Sequence, residues 1–146
     1  MHLNFKLPAK QRGVGLIEVL IAVLVLSFGM LGLAGLQSYA LRSNQSALER
    51  GMATVQTHSI VDAMRADRVA ATTTLYNIDL DDATPTGSSF RDEAIARWRA
   101  DLQAALNPTA NGAIDCDGAL CTITVQWNDE RAGGAEAQTI VTEVRL

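Results

Sequence analysis

Arg12-Gly13-Val14-Gly15-Leu16-Ile17-Glu18-Val19-Leu20 decides how this chain is read. A base and a glycine lead into a long apolar run, and one carboxylate stands near its start. From Val14 to Leu41, Glu18 is the only charged side chain. At about 1.5 Å of rise per residue, roughly 20 apolar residues cross the hydrocarbon core of a bilayer, so this run is long enough to do so. An acid inside such a span costs roughly 2.5–3.5 kcal/mol on insertion scales, which makes an intramembrane carboxylate a functional signal in need of a partner.

Residues 1–13 carry Lys6, Lys10 and Arg12 and no acid. The positive-inside rule therefore puts the N-terminus on the cytoplasmic side and sends the remainder outward. An ordinary secretory signal has an apolar core of about 7–15 residues that ends in a small-residue cleavage site. Here the run is longer, contains Glu18 and continues into helical sequence, which argues against a removed signal or a plain anchor.

Gly13-Val14-Gly15-Leu16-Ile17-Glu18 resembles the prepilin processing site of type IV pilins and type II secretion pseudopilins. The resemblance implies cleavage on the cytoplasmic side between Gly13 and Val14, N-methylation of Val14, and Glu18 as fifth residue of the mature chain. That family usually has Phe where this chain has Val14. Val is also apolar and uncharged, so processing is expected to survive the change. Cleavage would free an α-amine one helical turn from Glu18, and that amine is a cation at neutral pH. An ammonium and a carboxylate buried together attract, whereas either alone is penalised. The resemblance implies that an incoming subunit's amine meets Glu18 of an assembled one, setting filament register.

Loss of residues 1–13 would remove three basic side chains and leave 9 basic and 16 acidic ones, a net charge of about −7. The mature chain would have no lysine, since both stand in the leader. Such a surface disfavours nonspecific nucleic-acid binding, which depends on neutralising phosphates. Two cysteines, Cys116 and Cys121, lie beyond the apolar run and would meet an oxidising periplasm. A disulfide closing this short loop contributes roughly 2 kcal/mol on the chain-entropy estimate. Free thiols and metal binding are the alternatives. Metal would need further ligands, and the histidines are only His2 and His58. The spacing is not that of a Cys-x-x-Cys redox motif.

The expected fold is α+β: a long N-terminal helix, a second helix and a small antiparallel sheet. The first helix is expected from near Val14 to about Ala70, with residues 14–41 in membrane or filament core and 42–146 as a periplasmic globular domain. In its second half Leu41, Leu48, Met52, Val55, Ile60 and Met64 recur near a helical period and mark the face expected to be buried. Gly29, Gly32 and Gly35 interrupt the apolar half, and each costs about 1 kcal/mol relative to Ala in a helix. They read as close helix packing, as a locally weak helix, or as ordinary small residues of a membrane span. Major pilins often pair a Gly with a Pro near here, but no Pro stands between Gly13 and Pro85.

Residues 71–89 read as a connection rich in Thr, Asp, Pro, Gly and Ser. Asp79, Asp81 and Asp82 lack the order and distal Glu of a calcium loop, so a solvated acidic loop is the better reading. A second helix is expected over about Phe90 to Leu106, capped by Ser89, with Ile95, Trp98, Leu102 and Leu106 on one face. Trp98 is read as a core anchor. Leu120 to Trp127 alternates as a strand with Cys121, Ile123, Val125 and Trp127 inward, Thr139 to Leu146 forms another, and a short strand near Ala113–Cys116 pairs across the cysteine loop.

No nucleophile motif or phosphate loop stands in the sequence, so a structural protein without cofactor is expected. The apolar segment, the helix end Arg65-Ala66-Asp67-Arg68 and Cys121-Thr122-Ile123-Thr124-Val125-Gln126-Trp127 resemble minor pilins of the type IV pilus modification (PilV) group. That resemblance implies a subunit that primes assembly of type IV pili and enters them, serving twitching motility and adhesion. Its implied partners are other minor and major pilins, the prepilin peptidase/methyltransferase, the inner-membrane assembly platform and a tip adhesin. It implies a single-pass inner-membrane location with a periplasmic C-terminus, then the extracellular pilus. The rival readings are a minor pseudopilin of type II secretion and a pilus-tip binding module.

Overall fold

A computed structural model describes Gly13 and residues 15–146. The elements in chain order are α1 (Leu16–Ala66), α2 (Arg68–Thr72), α3 (Phe90–Ala105), β1 (Asn111–Asp117), β2 (Leu120–Trp127) and β3 (Gln138–Arg145), with a short 3₁₀ turn at Glu130–Ala132. The architecture is the expected α+β one. The chain divides into two units, Met1–Tyr39 and Ala40–Leu146, and α1 supplies helix to both.

The expected single helix to Ala70 is corrected. α1 ends at Ala66, and Asp67, at φ −118° and ψ 50°, breaks the helix before α2. The break leaves both Met64 and Ala71 fully buried.

The expected buried stripe of α1 is also corrected. Ile60 and Met64 are buried and Met52 is half-buried, but Leu41, Leu48 and Val55 are 69%, 58% and 65% exposed. The buried face instead runs through Glu49, Ala53, Thr57, Ile60, Val61 and Met64. Two of these are polar, and each has a partner. Thr57 Oγ1 donates to the Ala53 carbonyl at 2.9 Å, and Glu49 accepts from Trp127 Nε1 at 3.1 Å. Hydropathy alone misses a face whose polar members are satisfied internally.

α3 matches its expected span. Ser89 caps it by accepting from Asp92 N at 3.1 Å. Ile95, Trp98, Leu102 and Leu106 are all buried, as expected from their spacing. The far end of the Trp98 ring lies so close over Gly112 that a Cβ there would overlap it, so β1 approaches α3 only through a residue without a side chain.

The sheet is antiparallel with order β1-β2-β3. Asp117 pairs with Leu120 around a two-residue hairpin loop, where Gly118 takes φ 60°. Cys121, Ile123, Val125 and Trp127 of β2 point into the core and are almost completely buried. Cys116 and Cys121 are direct cross-strand partners and form a disulfide, the first of the alternatives the sequence left open. Within the expected connection, Ile78 forms an isolated bridge to Ile114 of β1, and Tyr76 and Ile78 are buried.

Candidate processing and assembly segment

Gly13 and Gly15 lie outside helix, and α1 begins at Leu16. The Gly15 carbonyl accepts from Glu18 N at 3.0 Å and Val19 N at 3.3 Å, closing the first turn. Glu18 thus sits in that turn, where the helix dipole favours an anion. Val14, the residue expected to become the methylated N-terminus, lies outside the described residues, as do the leader bases Lys6, Lys10 and Arg12.

Every side chain from Gly15 to Gln45 is exposed, including Leu16 at 82% and Leu31 at 69%. An apolar helix of this kind must be covered by lipid or other helices. α1 is the one described helix long and apolar enough to cross a membrane. It continues unbroken through Gly29, Gly32 and Gly35, and among the described residues nothing beyond the helix's own nearby backbone lies within 4 Å of where a Cβ would stand on any of them. Their open faces leave room for close approach by a neighbour. Gly13 and Glu18 belong to the first unit, while the Cys116–Cys121 disulfide belongs to the second.

Residues 8–34 match the family model described as the prokaryotic N-terminal methylation motif. The chain carries a prepilin-type signal. The matched stretch contains Gly13, Val14, Glu18, Gly29 and Gly32. With an apolar helix behind it, the motif indicates a type IV pilin-like or pseudopilin-like protein and fits a single-pass inner-membrane protein incorporated into pili. The motif is that of a structural subunit with pilins and the assembly machinery as partners. No curated protein and no solved structure matches the chain.

The second unit of this prepilin-type chain is fastened by polar groups that the sequence reading did not single out. Arg99 is 2% exposed and donates only to main-chain carbonyls. Nε and Nη2 reach Gly112 O at 3.1 and 2.8 Å, Nη1 reaches Asp82 O at 2.7 Å, and Nη2 reaches Asp79 O at 2.6 Å. Burial lowers its pKa, and the Asp82 carboxylate opposes that shift. Asn111 Nδ2 donates to the Leu80 carbonyl. The acidic loop at 79–82 is therefore held through its backbone by an arginine and an asparagine. Among the described residues, no three His, Cys, Asp or Glu side chains converge as metal ligands.

α1 is tied to the end of β2 and the turn after it. Trp127 Nε1 and Gln45 Nε2 donate to the two oxygens of Glu49, and Ser46 Oγ donates to Asp129 Oδ2 at 2.7 Å. Tyr76 is fully buried, and among the described residues its hydroxyl has no partner within hydrogen-bond geometry. Burial first, then the nearby Asp67 carboxylate, push its pKa up to about 12, with Arg91 opposing. Asp92 is held below its ordinary value by the Ser89 hydrogen bond and by Arg91, which it meets at 2.5 Å.

Proposed function

We propose that this chain is a minor pilin of the type IV pilus modification (PilV) group, which primes pilus assembly and then enters the filament. The prepilin peptidase cuts between Gly13 and Val14 and Val14 is methylated. Residues 14–41 serve first as membrane anchor and then as filament core. Residues 42–146 form the periplasmic globular domain. Glu18 takes the countercharge of a neighbouring subunit's α-amine, and Gly29, Gly32 and Gly35 admit close helix contacts. One observation carries the reading: a prepilin-type motif runs directly into a helix whose apolar side chains, from Leu16 to Leu41, are all exposed among the described residues.

The reading has a direct test. N-terminal sequencing of membrane-extracted protein should begin at methylated Val14, and a start at Met1 refutes cleavage. Glu18→Ala should be cleaved yet recovered poorly in sheared pili. Normal incorporation of that variant removes the role given to Glu18. The matched motif serves a pseudopilin equally well, so the machine is decided by deletion. Loss of twitching with secretion intact supports the pilus, and the opposite result supports type II secretion.

A further inference from the structure

The two edges of the sheet are treated differently. In β1, residues 112, 114 and 116 turn their backbone groups away from β2, and each is taken. Gly112 N donates to Asn111 Oδ1 at 2.9 Å, and Gly112 O accepts from Arg99. Ile114 exchanges two bonds of 2.9 Å with Ile78. Cys116 N donates to Asn77 Oδ1 at 2.9 Å, and Cys116 O accepts from Asn77 Nδ2 at 3.3 Å, so one side-chain amide stands in for a strand residue.

β3, the other edge, has no such cover. Leu146 N donates to Ala119 O, and the register pairs Val144 with Cys121, so even-numbered residues bond inward to β2. Thr139, Val141, Glu143 and Arg145 therefore turn their N–H and C=O groups outward. Among the described residues none of these groups has a hydrogen-bond partner. The core-side apolar layer is also incomplete here, because Ile140, Val144 and Leu146 are only half-buried. Unpaired strand edges of this kind accept a further strand.

We infer that the C-terminal part of the free edge of β3, residues 142–146, pairs antiparallel with the same residues of a second copy of this chain, about a two-fold axis at Val144. The side chains choose both occupant and register. On the outer face Glu143 then stands opposite Arg145 of the copy, twice per dimer. On the core face Val144 meets Val144, and Leu146 meets Thr142. A slip of two residues sets Glu143 against Glu143, and the next slip pairs all four outward residues but loses both ion pairs by setting Glu143 against Val141 and Arg145 against Thr139. Directly opposed unlike charges stabilise a cross-strand pair and like charges destabilise it. The contact is isologous, closes at two copies, and is independent of the pilin reading.

Sedimentation of the full-length chain in detergent, over a range of concentrations, tests it. The wild type should dimerise reversibly, more weakly at high salt. Glu143→Arg and Arg145→Glu should each weaken the dimer about tenfold by opposing like charges twice, and the double reversal should restore it. Glu143→Pro removes an outward N–H while sparing the β2 ladder and should also abolish the dimer. A chain monomeric throughout, a dimer indifferent to the single reversals as one held by the apolar helix would be, or failure of the double reversal to rescue, overturns the inference.

Discussion

At the residue scale, the buried polar groups decide more than their number suggests. Arg99 answers three carbonyls with one planar fork, and its bonds to Gly112 are buried while those to Asp79 and Asp82 are partly so. Removing a donor from buried acceptors costs more than the bond contributes, because the acceptors stay desolvated. Arg99→Met should lower unfolding stability by about 3 kcal/mol, measured by denaturant titration in detergent, and Arg99→Lys should recover little because an ammonium lacks the fork. Tyr76 is the opposite case, a hydroxyl buried without a partner among the described residues. Tyr76→Phe should be neutral or stabilise by up to about 1 kcal/mol at pH 7. The pH dependence has a definite sign. The folded phenol titrates near 12 against an ordinary 10.0, so its contribution is whole below pH 10 and is lost as pH rises from 10 through about 12. Wild type should therefore lose stability relative to Tyr76→Phe across that window, and parallel pH curves would contradict the shift.

At the element scale, α3 and β1 meet through Trp98 and Gly112. Gly112→Ala should destabilise by about 1–3 kcal/mol through overpacking, and Trp98→Leu should absorb part of that cost in a double-mutant cycle. Additive effects would mean the ring does not rest on the glycine. The elements themselves were legible in the sequence. Alternation marked β2, Ser89 marked the start of α3, and the cysteine spacing left the disulfide as the favoured pairing. The buried face of α1 was not legible. Leu41, Leu48 and Val55 advertise an apolar seam that the fold leaves exposed, whereas Glu49 and Thr57 are buried because Trp127 and the Ala53 carbonyl satisfy them. A hydropathy pattern carries no information about a hydrogen-bond partner 78 residues away. Arg99 had a faint signal, since it shares the periodic face of Ile95, Trp98 and Leu102, where a charge is out of place unless it is bonded. Nothing local announced that the Asn77 amide would close the edge of β1.

At the scale of the whole molecule, two sets of residues carry separable tasks. The motif that defines processing lies within residues 8–34, whereas the disulfide, Arg99 and the sheet all lie in Ala40–Leu146. Changes in one set should therefore leave the readout of the other untouched, because sites without shared partners act additively. Glu18→Ala should leave the melting temperature of the detergent-solubilised chain within about 1 °C of wild type, since its side chain is exposed. Arg99→Met should lower that temperature by about 10–20 °C, following from a loss of about 3 kcal/mol in a domain of this size. Under the proposed processing it should nevertheless be cleaved normally, since the matched motif lies at residues 8–34, outside the unit that holds Arg99. Measuring cleavage by N-terminal sequencing and folding by thermal denaturation on both variants gives four readings. If Arg99→Met blocked cleavage while folded at the assay temperature, or if Glu18→Ala lowered the melting temperature as much as Arg99→Met, the two units would be energetically coupled through the helix they share.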